Sequence, residues 1–145
     1  MEQLQEMLKK VLADTFVMYM KAHGYHWNII GPDFPQLHGF FDSLYNELWG
    51  AIDPIVEHIR TLDAFSQGTI ARMKELSTVP EDETIPTAPR MLANLLQAND
   101  IVLASLKEAY MMANQLGEDG LSNFLQDRID THRKHGWMIK ATLGK

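Results

Sequence analysis

The sequence predicts an all-α fold: a bundle of four long helices, with a short extra helix in the long crossover between the second and third. Three observations predict it. Apolar residues recur at three-four spacing through four long stretches, the period of a helix with one buried face. Glycine and proline punctuate the joins between those stretches. A connection from residue 63 to residue 87 separates the second stretch from the third, as a bundle with one long crossover requires. With 145 residues, 46% of them apolar and 22% charged, the chain reads as a single domain, residues 1–145, with enough length for a real core.

The first helix is expected over residues 3–27. Leu4, Leu8, Val11, Thr15 and Met18 form its buried stripe, with Met7 and Phe16 beside it. Gly24 weakens its last turns, and His26 falls near its end, where a lone histidine is ordinarily a packing or capping residue. Gly31-Pro32 breaks the chain. Asp33 is expected to cap the second helix, with Gln36 as its capping-box partner. That helix runs to about residue 62 on the stripe Leu37, Phe41, Leu44, Leu48, Ile52, Ile55, Ile59 and Leu62. Pro54 lies inside it, where a proline removes one backbone hydrogen bond and costs about 3 kcal/mol. A kink is therefore expected over residues 50–54, beside Asp53.

Residues 69–76 have helical character, with Ile70 and Met73 on one side, and form the short extra helix. Residues 77–87 carry Pro80, Pro86 and the run Glu81-Asp82-Glu83, and read as a solvated loop. The third long helix spans 88–116, opened by Thr87 as N-cap and Pro89 in its first turn. Leu92, Leu95, Val102, Leu106, Tyr110 and Ala113 mark its core face, and Met111 and Met112 read as core filler. Gly117 is a natural C-cap. The last helix covers 120–143, with Leu121, Leu125, Ile129, His132, Gly136, Ile139 and Leu143 in register. His132 and His135 are three apart, but no carboxylate on that stripe completes a metal set, so they read as core or interface histidines.

Composition narrows the function classes. The absence of cysteine rules out a disulfide framework and a thiolate metal site, and fits a reducing cytoplasm. No apolar run approaches the roughly 18 residues needed to cross a bilayer, and MEQLQEMLKK has no apolar signal segment. A formal charge of −6 argues against a generic nucleic-acid binder and suits a protein that attracts cations.

Five of the residues of metal-ligating type between 26 and 57 stand out as candidate ligands: His26, His38, Asp42, Asp53 and Glu57. The last four fall on the second helix as two pairs, each four residues apart. At roughly 100° per residue the eleven steps from Asp42 to Asp53 return to about 20° from the start, so the pairs share a face. They are also separated by roughly 16 Å along the axis, whereas bonds from metal to imidazole or carboxylate are about 2.0–2.2 Å. One ion cannot touch both pairs of one chain. A second copy laid antiparallel, across a two-fold axis near residues 46–49, brings His38 and Asp42 of one chain to Asp53 and Glu57 of the other and makes two sites per dimer. Either pair alone is ordinary on a solvated helix face; the set is not.

This stretch resembles the Dps family, the miniferritins named for DNA protection during starvation. The residues that carry the resemblance are His26-Trp27-Asn28, Gly31-Pro32, Leu37-His38 through Asp42, and Asp53 through Glu57, with His58-Ile59-Arg60 after them where the family has Arg-Ile. A weaker match, His135-Gly136-Trp137-Met138, extends it to the last helix. The resemblance implies a ferritin-like four-helix bundle in which the two histidines and one aspartate come from one subunit and the Asp and Glu from its two-fold mate. It also implies a ferroxidase that oxidises ferrous iron with hydrogen peroxide and stores ferric mineral inside a hollow homododecamer. Trp27, beside His26, is placed either to quench a stray oxidising equivalent or only to pack. Iron entry pores in the family are lined by acids near the start of the last helix, where Glu118, Asp119 and Asp127 lie and where Asn123 replaces an acid found in some relatives.

Two imidazoles with three carboxylates make a nitrogen and oxygen site suited to iron, manganese or zinc. No Glu-x-x-His motif occurs, so the intrachain di-iron site of larger ferritins is not encoded. DNA-binding members of the family use mobile basic tails; here the first helix starts almost at Met1 and the last ends just before Lys145, while Lys9 and Lys10 read as solvated surface. Weak or absent DNA binding is expected. The competing expectation is a non-catalytic shell that binds a redox-silent metal or compacts DNA.

Overall fold

The computed structural model describes residues 1–145. Five helices and no strand make up the chain: α1 (Glu2–Asn28), α2 (Phe34–Thr61), the short α3 (Ile70–Leu76), α4 (Ala88–Gln115) and α5 (Asp119–Thr142). The long helix α1 packs against α2, α4 and α3, and α4 packs against α5. Two antiparallel hairpins, α1–α2 and α4–α5, are thus joined by a crossover that carries α3 back across α1. The expected stripes form one core, with Leu8, Phe41, Leu48, Leu95, Leu125 and Ile139 fully enclosed. Burial of each such side chain contributes about 1.5–3 kcal/mol.

The helix ends follow from local chemistry. Gly31 turns the α1–α2 hairpin at φ +127°, open to glycine and strained for other residues. At Gly117 (φ +73°) the amide of Glu118 donates to the carbonyl of Ala113 and that of Gly117 to Asn114, which closes α4 with a six-to-one loop. The same pair of bonds closes α2, but there the left-handed residue is Asp63, at φ 63°.

Several expectations need correction. Asp33 and Thr87 occupy the N-cap positions, but neither side chain makes a capping hydrogen bond, so the Asp33–Gln36 capping box does not form. Only Thr69 caps with its side chain, accepting from the amide of Arg72 at 3.2 Å. The helix α2 does continue through Pro54, within its expected bounds. Its buried residues Ala51 and Ile55 keep helical register on either side, so packing overrides the local penalty. Met111 is exposed rather than core filler, while Met112 does pack on the core. The loop after α3 is not simply solvated. Val79 is buried, and Asp82 accepts from the Tyr25 hydroxyl, from Asn94 Nδ2 at 3.1 Å and from Lys21 Nζ at 3.2 Å. Burial and the Asp82 carboxylate push the Tyr25 phenol well above its usual range.

Two buried polar clusters hold the bundle in register. Asp14 of α1 is fully buried and joins Lys10 Nζ at 2.6 Å, Ser105 of α4, Ser77 Oγ at 3.0 Å and the Thr78 amide at 2.8 Å. Across the bundle, Glu47 of α2 receives Arg128 Nη2 at 3.1 Å and lies 2.7 Å from His135 Nε2. Arg128 Nη2 donates in turn to His132 Nε2 at 2.9 Å, so His132 carries its hydrogen on Nδ1 and gives it to Asn99 Oδ1 at 2.8 Å. His132 is therefore a core histidine, as expected, while His135 is partly buried beside it and takes its carboxylate partner, Glu47, from another helix.

Candidate metal centre

The α1–α2 turn sets the last turn of α1 beside the first turn of α2. His26 Nδ1 lies 2.8 Å from the carbonyl oxygen of His38, and His38 Nδ1 lies 2.8 Å from the carbonyl oxygen of His26. A carbonyl only accepts, so each Nδ1 carries the hydrogen. That leaves Nε2 of each ring as the nitrogen available to a metal, and hydrogen bonding of the other nitrogen to a carbonyl is the usual way a ligating imidazole is oriented. The rings stack 3.7 Å apart at 16°. Phe34 stacks on the outer side of His38, 4.9 Å away. One turn along α2, Asp42 is half-buried and its carboxylate accepts from Asn46 Nδ2 at 3.2 Å. The hydrogen bond to Asp42 also raises the Tyr45 phenol above its usual range.

Asp53 and Glu57 are exposed and take part in none of the chain's ion pairs. They lie further along α2, past Trp49, whose indole is 58% exposed. No three histidine, aspartate or glutamate side chains of one chain gather closely enough to hold a metal. One chain therefore brings His26 and His38 together, with Asp42 one turn further along α2 and the other two candidate ligands well beyond it.

An aromatic cluster beside the imidazole pair escaped the sequence reading. His23 lies flat on Tyr45, 3.8 Å apart at 7°, and within 2.8 Å of the Tyr19 hydroxyl. Burial and then the neighbouring His26 lower the His23 imidazole below its usual range, against an opposing pull from Asp42. The signal available was the spacing Tyr19, His23, His26 on one helix face. Trp27 packs against His23 at 4.7 Å with 58% of its surface exposed. Of the expected pore acids, Asp119 and Asp127 are exposed on the same side of α5 as Asn123, and Glu118 is the N-cap residue of that helix.

A four-helix bundle with a long crossover, carrying candidate histidine and carboxylate ligands on its first two helices, points to a ferritin-like protein, and the ferritin-like domain model matches residues 5–145. Similar proteins narrow the class. General stress protein 20U of Bacillus subtilis is 33% identical over 99% of both chains. DNA protection during starvation protein 2 of Bacillus anthracis is 31% identical, again over 99% of each. Among solved structures, the Dps protein of Vibrio cholerae O1, described as a member of a broad superfamily of ferritin-like diiron-carboxylate proteins, superposes with a TM-score of 0.94 at 30% identity over 98% of this chain and 89% of that one. This chain belongs to the Dps family of ferritin-like proteins.

Proposed function

We propose that the protein is an iron-storing ferroxidase whose metal centre is shared between two chains. The observation that carries the reading is the reciprocal locking of His26 and His38, each Nδ1 on the other's backbone carbonyl, which leaves Nε2 of both rings available to a metal. Asp42 lies beside them, and the partner subunit's Asp53 and Glu57 complete the set across the two-fold axis near residues 46–49. The exposure of Asp53 and Glu57 in a single chain supports this, as does the diiron-carboxylate description of the Vibrio cholerae relative. Imidazoles and carboxylates together suit iron, and the carboxylates stabilise the ferric product more than the ferrous substrate.

Ferrous ion is the substrate and hydrogen peroxide the oxidant. Two ferrous ions each give one electron, the O–O bond breaks, and two protons complete two waters, so no hydroxyl radical is released. Ferric ions then pass to the interior of a hollow dodecamer in the cytoplasm and mineralise. Ferrous ions enter past Glu118, Asp119 and Asp127 on α5. The formal charge of −6 per chain supports cation attraction and opposes phosphate binding, so the shell binds DNA weakly or not at all at physiological salt. Purified protein is expected to consume peroxide only when ferrous iron is present. The double substitution Asp53→Asn with Glu57→Gln should abolish that consumption; an unchanged rate would overturn the site.

A further inference from the structure

Tyr19 and His23 stand one turn apart on α1, 2.8 Å between the phenol oxygen and Nδ1. This is the only hydrogen bond of the Tyr19 hydroxyl. With His23 in its Nε2–H tautomer, the phenol hydrogen points at the Nδ1 lone pair. The rings around them are continuous: His26 lies 5.2 Å from Tyr45, Tyr45 stacks on His23 at 3.8 Å, and Tyr19 lies 5.1 Å from Trp49. An unbroken run of aromatic rings therefore joins the imidazole pair to a phenol already engaged with a base.

We propose that Tyr19 and His23 act as a proton-coupled electron donor to the His26–His38 site, holding one oxidising equivalent until a second ferrous ion arrives. The proposal rests on the ferroxidase reading above. When one ferrous ion meets one hydrogen peroxide, iron supplies a single electron and O–O cleavage demands two. Tyr19 supplies the other through the rings, and its phenol proton moves to His23 Nδ1. The products are one ferric ion, two hydroxides, a neutral tyrosyl radical and an imidazolium. A second ferrous ion later returns the electron, His23 returns the proton, and the sum is two ferrous ions oxidised per peroxide. The site then needs its two ions in turn and not together.

The other tyrosines are less suited. The Tyr45 phenol is engaged by Asp42, a candidate ligand whose charge the metal would take up. Tyr25 is buried on Asp82 at the other side of α1, and Tyr110 bonds to Gln126 on the α4–α5 hairpin. The Trp27 and Trp49 side chains make no hydrogen bond to a base.

Two arms test the proposal on the intact protein. In the first, metal-free protein is oxidised by a flash-excited ruthenium photo-oxidant, frozen and read by electron paramagnetic resonance, with ring-deuterated tyrosine to identify the radical. A neutral tyrosyl signal is expected that falls to background in Tyr19→Phe, changes its g-values in His23→Gln and persists in Tyr25→Phe. In the second, one ferrous ion per site and peroxide should give the same signal, which a second ferrous equivalent discharges. A radical on Trp27, Tyr25 or Tyr45, or an undiminished signal in Tyr19→Phe, overturns the assignment. So does iron oxidation that passes through the intact site with no Tyr19 radical. Should Asp53→Asn with Glu57→Gln leave iron oxidation unchanged, the shared site falls, and the metal-free arm still decides whether Tyr19 and His23 work as a pair.

Discussion

His26 and His38 show how much one backbone contact can settle. A free imidazole shares its hydrogen between two nitrogens, but here each Nδ1 is held by the other's carbonyl, and only Nε2 is left to bind. Replacing His38 with alanine removes a ligand but keeps the backbone carbonyl at that position, so His26 Nδ1 retains its acceptor. Iron affinity, read by titration of the purified assembly, should fall at least about tenfold. Ligand type and spacing were legible in the sequence because they lie on a single helix. The partners of Glu47 were not, because Arg128 and His135 lie on α5 and only the folded bundle sets them beside it. Burial alone would raise the Glu47 carboxyl, yet hydrogen bonds from His135 and Arg128 and their charges hold it at about 2. A depressed carboxyl stabilises the fold above its unfolded value, and the contribution is lost as pH falls from 4.5 towards about 2. His132 acts earlier. Burial, then Arg128 and His135, hold its imidazole well below 6.5, so the unfolded chain takes up a proton that the folded one refuses. Stability should therefore decline below pH 6.5 and again below 4.5, measured as urea midpoints against pH. Glu47→Gln should remove the lower step and cost about 3–5 kcal/mol, because Arg128 is left buried without its counter-charge.

Helix by helix, the apolar stripes predicted the elements to within two residues, since packing and period agree. What the stripes could not show is where packing overrules a local preference. Pro54 is such a place: the helix continues through it because Ala51 and Ile55 are held in the core on either side. Pro54→Ala should restore one backbone bond and stabilise the chain by up to about 3 kcal/mol, read in chemical denaturation. Gly136 is the opposite case. A helix-interior glycine usually costs about 1 kcal/mol against alanine, so Gly136→Ala would ordinarily help. Here a Cβ would stand 3.1 Å from Asn99 Nδ2. That amide cannot swing aside, because Nδ2 donates to the His132 carbonyl and Oδ1 accepts from His132 Nδ1. Gly136→Ala should therefore destabilise the bundle, with a lower denaturation midpoint and an unchanged helix content.

For the whole molecule, the decisive question is which chain supplies which ligand, and two-fold symmetry makes it answerable by mixing. Take one variant with His26 and His38 changed to alanine and a second with Asp53→Asn and Glu57→Gln. Each homodimer carries two broken sites and should not oxidise iron. In a mixed dimer, one site collects both defects, while the other joins the intact imidazoles of the second variant to the intact carboxylates of the first. Random reassembly after denaturation and refolding makes half the dimers mixed, so about a quarter of the wild-type sites should return. A site built within one chain predicts no recovery at any mixing ratio, because every chain is defective. The surface around the proposed axis also has to be apolar enough to hold the two copies together, and the exposed Trp49 indole lies there. Trp49→Glu places a charge in that contact. It should shift the protein towards monomers in sedimentation and abolish iron oxidation, with all five ligands unchanged in the sequence.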